Sequence, residues 1–558
     1  MGNCLSCAKD FLKEPKTLPI DINFNLPSPL PPWPQGGGFA SGRMNLGGLE
    51  ICQISTFKKV WETLERGPEN LGATFFEPWP VPDGFFMLGC YAQPNNKPLW
   101  GWVLVAKDVE NEPSRGALKM PVDYTLIWSS DSIKFKKSGN GYIWLPIPPD
   151  GYNAVGLVAT NSPDKPPLDK VRCVRSDLAD SCEQDAWIWG PDKVSNTSEI
   201  NFYGLKPTIR GTKALGVSVG TFTVQANGEA TSFSLSCLKN KDLGVSCMPN
   251  LTQIEALIQV YSPWIYLHPN EKYMPSSVSW FFNKGALLYK KDDESNPVSI
   301  DPTGSNLPQG GSNDGAYWID LPIDEEARDE VKKGELRTSV AYLHIKPMLG
   351  ATFTDISTWV FYPFNGPATA KVQLIDIPLG KIGEHVGDWE HVTLRISNFT
   401  GELWRVYFSE HSGGTWVNAS EIEFHNGNKV VAYASLNGHA FYQNPRLVLQ
   451  GNSNLCIGIR NDTAESNIVM DTCMSYEVIS ADYLGMVVEP PWLNYTREWG
   501  PKISYDIANE LNLVENLLII EELKSVFRSI ISAIPSEVLG EEGPTGPKMK
   551  NNWSGDEN

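Results

Sequence analysis

The densest group of chemically capable side chains in this sequence is Gly383-Glu384-His385-Val386-Gly387-Asp388-Trp389-Glu390-His391. Carboxylate oxygens neutralise the charge of a divalent ion, and a neutral imidazole adds a stronger-field ligand. His385, Asp388 and Glu390 therefore form a candidate set for a divalent metal ion. A bound metal with an open position also activates water, and Glu384 or His391 is placed to move the proton. A metal-dependent hydrolase thus stands as the alternative to a binding site. Other chemistries lack their motifs: there is no Walker A sequence, no G-x-S-x-G elbow and no H-E-x-x-H. No catalytic residue is assigned, and binding is the first reading.

The elements around the cluster constrain how it works. Alternation in His391-Val-Thr-Leu-Arg-Ile-Ser397 reads as a strand, with His391, Thr393 and Arg395 on one face and Glu390, Val392 and Leu394 on the other. The cluster must sit at the entrance of that strand, where a loop turns His385 and Asp388 toward Glu390. A turn at Asn398-Phe399-Thr400-Gly401 folds this strand onto the run ending at His411, which brings His391 near His411. Every histidine, from His268 to His439, lies in this part of the chain; residues 1–267 have none. His268, His344 and His425 are expected to be structural.

With 558 residues the chain is long enough for several domains, and 41% hydrophobic with 20% charged is globular composition. The fold expected is mainly β. Residues 1–38 are a terminal segment whose LPSPLPPWPQGGG reads as a Pro/Gly spacer. Residues 39–248 contain two similar stretches, Pro82 to Ala92 and Pro149 to Ala159, each opening on Pro-Asp-Gly-aromatic; a weaker copy runs from Leu215 to Asn240. Three such units about a common axis make a β-prism-like repeat domain. Residues 249–500, after a short helix over Thr252 to Val260 and an acidic one over Asp324 to Glu335, show the aromatic and β-branched alternation of a β-sandwich. Residues 501–558 read as helices from Ile503 to Ile534, with one apolar face, followed by a polar, turn-rich tail.

The chain begins MGNCLSC, in which Gly2 and Ser6 match the N-myristoylation pattern and Cys4 and Cys7 are placed for palmitoylation. One acyl chain binds only marginally, with an association constant of roughly 10⁴ M⁻¹, so the second signal matters. No signal peptide precedes it, and no stretch is apolar enough to span a bilayer. The expected place is the cytosolic face of a membrane, plasma membrane or endomembrane and vacuole, reached through lipids on Gly2, Cys4 and Cys7. A net charge of −19 excludes a nucleic-acid partner and adhesion by charge alone. Membrane lipid headgroups or trafficking proteins are the expected partners. The other cysteines show no zinc spacing, and sequons such as Asn196 and Asn398 are chance matches in a chain without a secretory signal.

Four separated blocks resemble one family: Tyr261 to Ser277 (YSPWIYLHPNEKYMPSS), Gly383 to Leu394, Tyr407 to Gly414, and Tyr433 to Ala440 (YASLNGHA). They resemble plant members of the vacuolar protein sorting-associated protein 62 family, a group of unknown biochemical function, which implies a link to vacuolar trafficking and adds His439 to the possible site residues. The N-terminal repeats are similar to the membrane-associated β-prism of some endosomal sorting proteins. The cluster itself resembles the G-H-R-H-D-W-E motif of the secreted necrosis- and ethylene-inducing-like proteins, β-sandwiches that hold a divalent cation. That resemblance matches His385, Asp388, Trp389 and Glu390, replaces the motif's second His by Gly387, and implies Asp376 as a further ligand. It also favours binding over catalysis.

Overall fold

The computed structural model describes residues 17–110, 116–131, 135–191, 200–226, 234–242, 245–372, 375–411, 413–452, 457–502, isolated positions between 509 and 528, and 544–557. Gly2, Cys4 and Cys7, and most of the helices expected between Ile503 and Ile534, lie outside the described residues. The chain is mainly β, as its alternation requires, and divides into two compact units. One contains Gly48–Thr208 and Ser218–Lys239 with the N-terminal residues to Asn25; the other contains Leu26–Gly47, Ile209–Val217 and Asn240–Asn558.

The first unit is a set of short antiparallel sheets. Phe57–Thr63, Ala73–Pro78 and Tyr91–Pro94 form one; Asp123–Ser129, Tyr142–Ile147 and Val158–Thr160 a second; Cys182–Trp189, Ile200–Pro207 and Phe222–Ala226 a third. Their inward faces supply an aromatic core in which Trp128 lies 5.6 Å from Trp61 and 5.7 Å from Trp189. The sequence repeats meet at their glycines. A Cβ on Gly156 would stand 2.9 Å from the Gly89 Cα and 2.7 Å from Thr221 Cγ2, so no side chain fits at the junction. Cys90 N–H donates to the Leu157 carbonyl at 2.8 Å, and the Thr221 hydroxyl to the Val155 carbonyl at 2.7 Å. All three copies thus converge on one axis, the prism-like arrangement that the repeated Pro-Asp-Gly stretches imply.

The second unit is built on a six-stranded sheet. Its strands are β1 (Ala341–Met348), β2 (Phe353–Asn365), β3 (His385–Ser397), β4 (Leu403–Glu410), β5 (Gly413–Asn418) and β6 (Tyr476–Ser480), in the order β5-β4-β3-β2-β1-β6. Neighbours are antiparallel except β1 and β6. Strands β2 and β3 pair over almost their whole length, from Phe353↔Ser397 to Asn365↔His385. One face of the sheet carries Trp359, Phe361 and Trp389, covered by Trp492, Trp499 and the helix Val278–Asn283. The other carries Tyr362, Asp388 and Glu390 toward the turn after the strand Lys429–Ala434, where Tyr362 stacks on His439 at 3.8 Å. Helix Leu251–Tyr261 begins at a reciprocal cap between Asn250 and Gln253, and helix Glu325–Lys332 is capped by Asp324. Among the described residues no helix is long and apolar enough to cross a membrane.

Candidate functional site

The start of β3 is shaped by a glycine. Gly387 has φ +70°, and a Cβ there would sit 2.6 Å from the Trp499 carbonyl oxygen. No side chain can occupy that position without displacing the Trp499 backbone, so the turn into the strand requires glycine. The kink it permits lets His385 donate from Nδ1 to the Gly387 carbonyl at 3.1 Å. A carbonyl only accepts, so this contact fixes the tautomer with its proton on Nδ1 and leaves Nε2 as a lone-pair donor. Burial outweighs the nearby Asp388 charge and holds the His385 pKa below the ordinary histidine value.

His385, Asp388 and Glu390 line one cavity of about 280 Å³, together with His411. Asp388 is held from behind. Its Oδ2 accepts from His439 Nδ1 at 2.9 Å, and His439 Nε2 lies 3.9 Å from Glu271 Oε2. Glu271 is itself pinned by the backbone N–H groups of Lys272, Tyr273 and Asn437 at 2.8, 2.9 and 2.7 Å. Burial raises the Asp388 pKa, but its surroundings, first among them the His439 hydrogen bond, outweigh it, and the carboxyl sits below its usual range. Glu390 accepts the Ser409 hydroxyl through Oε2. Lys550 and Arg460 also line the cavity, Arg460 being paired with Asp376 and Asp462.

The residues predicted from sequence separate into groups. His385, Asp388, Glu390 and His411 share the cavity wall. His411 contacts Asn461 Oδ1 through Nε2 at 3.2 Å. His391 and His411 also line a second cavity of about 250 Å³, as the expected hairpin implies. His391 faces Trp359, 4.2 Å away in a stacked arrangement, and meets Glu557 at 3.1 Å. His439 stands behind Asp388 with its side chain wholly buried. Asp376 is not brought to the others: it pairs with Lys371 at 3.1 Å and with Arg460, and does not line the cavity. The donor set of His385 Nε2, Asp388 and Glu390 suits a divalent ion in kind. Among the described residues no three His, Cys, Asp or Glu side chains stand ready-gathered around a point that would hold one. Glu271 was not anticipated; its signal was a lone carboxylate inside the aromatic block Tyr261 to Tyr273.

The family profile described as vacuolar protein sorting-associated protein 62 matches residues 20–557. The chain belongs to that family. The Saccharomyces cerevisiae protein of the same description is 27% identical over 182 residues, 29% of this chain and 37% of its own length. The chain thus spans little more than a third of that relative. Among solved structures, GNIP1Aa from Chromobacterium piscinae is similar at 18% identity and a TM-score of 0.29, over 38% of this chain and 40% of that one. The Necrosis and Ethylene inducing Protein 2 of the agent of cocoa's Witches Broom disease is similar at 13% and 0.19, over 34% and 67%. At that likeness nothing of their function passes to this family member.

Proposed function

We propose that this family member is a peripheral membrane protein of vacuolar or endomembrane trafficking whose β-sandwich binds a divalent cation at His385, Asp388 and Glu390, and through it an anionic lipid headgroup. The observation that carries the reading is that His385, its Nδ1 committed to the Gly387 carbonyl, lines one cavity with two carboxylates. Side-chain rearrangement would have to close the three groups on an ion, and the His439–Glu271 pair behind Asp388 would orient it as an outer shell orients a ligand. Lys550 and Arg460 on the same wall suit the phosphate of a headgroup that completes the coordination. Lipids on Gly2, Cys4 and Cys7 supply the standing attachment to the cytosolic face of the membrane. For the hydrolase reading, the proton carriers offered by the sequence, Glu384 and His391, do not line this cavity, and His411, which does, is engaged by Asn461. Binding is therefore preferred.

Flotation of the purified chain with anionic vesicles tests the reading. Protein without its lipids should float with phosphatidylserine vesicles in the presence of calcium, magnesium or manganese and stay in solution with chelator. Equal flotation in both conditions would contradict the cation bridge. Gly2→Ala should shift the protein in cells to the soluble fraction, and unchanged membrane retention would remove the lipid anchor.

A further inference from the structure

Beyond His391, the face of the sheet that carries Trp389 becomes charged while staying buried. Lys346 on β1, Asp355 on β2 and Arg395 on β3 have side-chain exposures of 1%, 0% and 6%. Asp355 takes Arg395 in a two-pronged contact at 2.9 and 2.8 Å. The remaining positive charge is met from outside the sheet by residues 544–557, which lie across this face. Asp556 accepts from Arg395 at 2.5 Å and from Arg210 at 2.9 Å. Glu557, its side chain wholly buried, accepts from Lys346 at 3.2 Å, Thr393 at 2.7 Å and His391 at 3.1 Å. Trp553 lies flat on His344 at 3.7 Å.

Buried cations are costly unless an anion pairs with them, so this face needs an acid. Lifted away, Asp556 and Glu557 would take two negative charges from Lys346, Arg395 and Arg210. A phosphate monoester, which carries about −1.5 to −2 at neutral pH, matches the charge they bring. Thr393, Ser357 and His391 supply donors for its oxygens, as they now do for Glu557. The cavity of about 250 Å³ beside the cradle is lined by Trp359, Tyr407 and His391 and walled by Asn551 and Asn552 of the covering segment. The Trp359 indole N–H is buried there without a partner among the described residues. It offers space, aromatic faces and a spare donor for the group esterified to the phosphate.

We infer that this face is a binding site for a phosphate monoester, kept shut by the chain's own Asp556 and Glu557, whose carboxylates stand where phosphate oxygens would lie. The neighbouring cavity adjoins that of His385, sharing Glu390 and His411 with it, but the cradle of Lys346, Thr393 and Arg395 lines neither cavity and does not depend on a metal. Removing the resident acids raises the fraction of open protein and hence the apparent affinity.

The test compares the full chain with Asp556→Asn/Glu557→Gln, using glycerol phosphate in solution and phosphatidylcholine vesicles with and without phosphatidylinositol monophosphate. The double variant should bind at least one phosphate probe about tenfold more tightly than wild type. Adding Lys346→Met should abolish the gain. A gain with vesicles alone identifies a lipid headgroup; a gain with both includes soluble esters. Equal binding of both proteins to every probe, or a gain that survives Lys346→Met, would overturn the inference. If the double variant fails to fold, hydrogen exchange on wild type decides: saturating glycerol phosphate should speed exchange of the amides from Asn551 to Glu557, and unchanged exchange would contradict the site.

Discussion

His439 and Asp388 are joined by a 2.9 Å hydrogen bond from Nδ1 to Oδ2, with the imidazole stacked on Tyr362 at an interplanar angle of 5°. The pair links the strand that opens the candidate site to a turn far along the chain. Its purpose is legible from position: Asp388 reaches the cavity and His439 does not. One residue presents the carboxylate and the other holds it.

His439→Phe keeps the ring on Tyr362 but leaves Asp388 without its buried donor. Breaking one side of such a pair costs about 3 kcal/mol. Chemical denaturation should show that loss, and His439→Phe combined with Asp388→Asn should lose less than the two single changes added together. Strict additivity would mean the two residues do not act as a unit.

Gly387→Ala places a methyl against the Trp499 carbonyl in a left-handed backbone conformation. Strain and overpacking together should cost about 2–4 kcal/mol. A thermal melt indistinguishable from wild type would contradict the role assigned to this kink.

Glu557 sets part of the acid stability. Burial raises its pKa, but Lys346, His391 and Thr393 outweigh that and hold it well below the ordinary value. A group with a depressed folded pKa stabilises the fold above its unfolded pKa, about 4.3 for Glu, and that contribution is lost as pH falls toward the folded value. Glu557→Gln should therefore be less stable than wild type at neutral pH, with the difference narrowing as the medium is acidified below about 4. Parallel stability curves through that window would show that the carboxylate is not held in this way.

His344 gives a second pH signature at a milder acidity. It is buried against Trp553, and burial, reinforced by Lys346, holds its pKa well below the usual value. The unfolded chain takes up the proton first, so stability from this residue is complete above about pH 6.5 and falls as the pH drops below it. His344→Phe preserves the stacking surface and should flatten the stability profile between roughly pH 6.5 and 5. An unchanged slope would place the titration elsewhere.

Local sequence revealed what was local. His385, Asp388 and Glu390 lie within six residues of one another, and the alternation from His391 onward sets the faces of β3. The repeated Pro-Asp-Gly stretches led to the axis where Gly89, Gly156 and Thr221 meet. The motif resemblance implied Asp376 as a ligand, but a strand pairing carries it to Lys371 and Arg460 rather than to the cluster. Glu271 and Glu557 were invisible for another reason. Each looks like an ordinary surface acid, and only long-range pairing, 166 residues away in both cases, buries it. Nothing in the composition of a polar, turn-rich tail says that one of its carboxylates closes a cradle of buried cations.

The cation at His385, Asp388 and Glu390 is the central claim, and elemental analysis of the purified chain tests it most directly. Wild type exposed to a mixture of divalent metals and then desalted should retain close to one ion per chain, while His385→Ala and Asp388→Ala, folded as judged by circular dichroism, should retain almost none. Equal metal content in all three proteins would contradict the account.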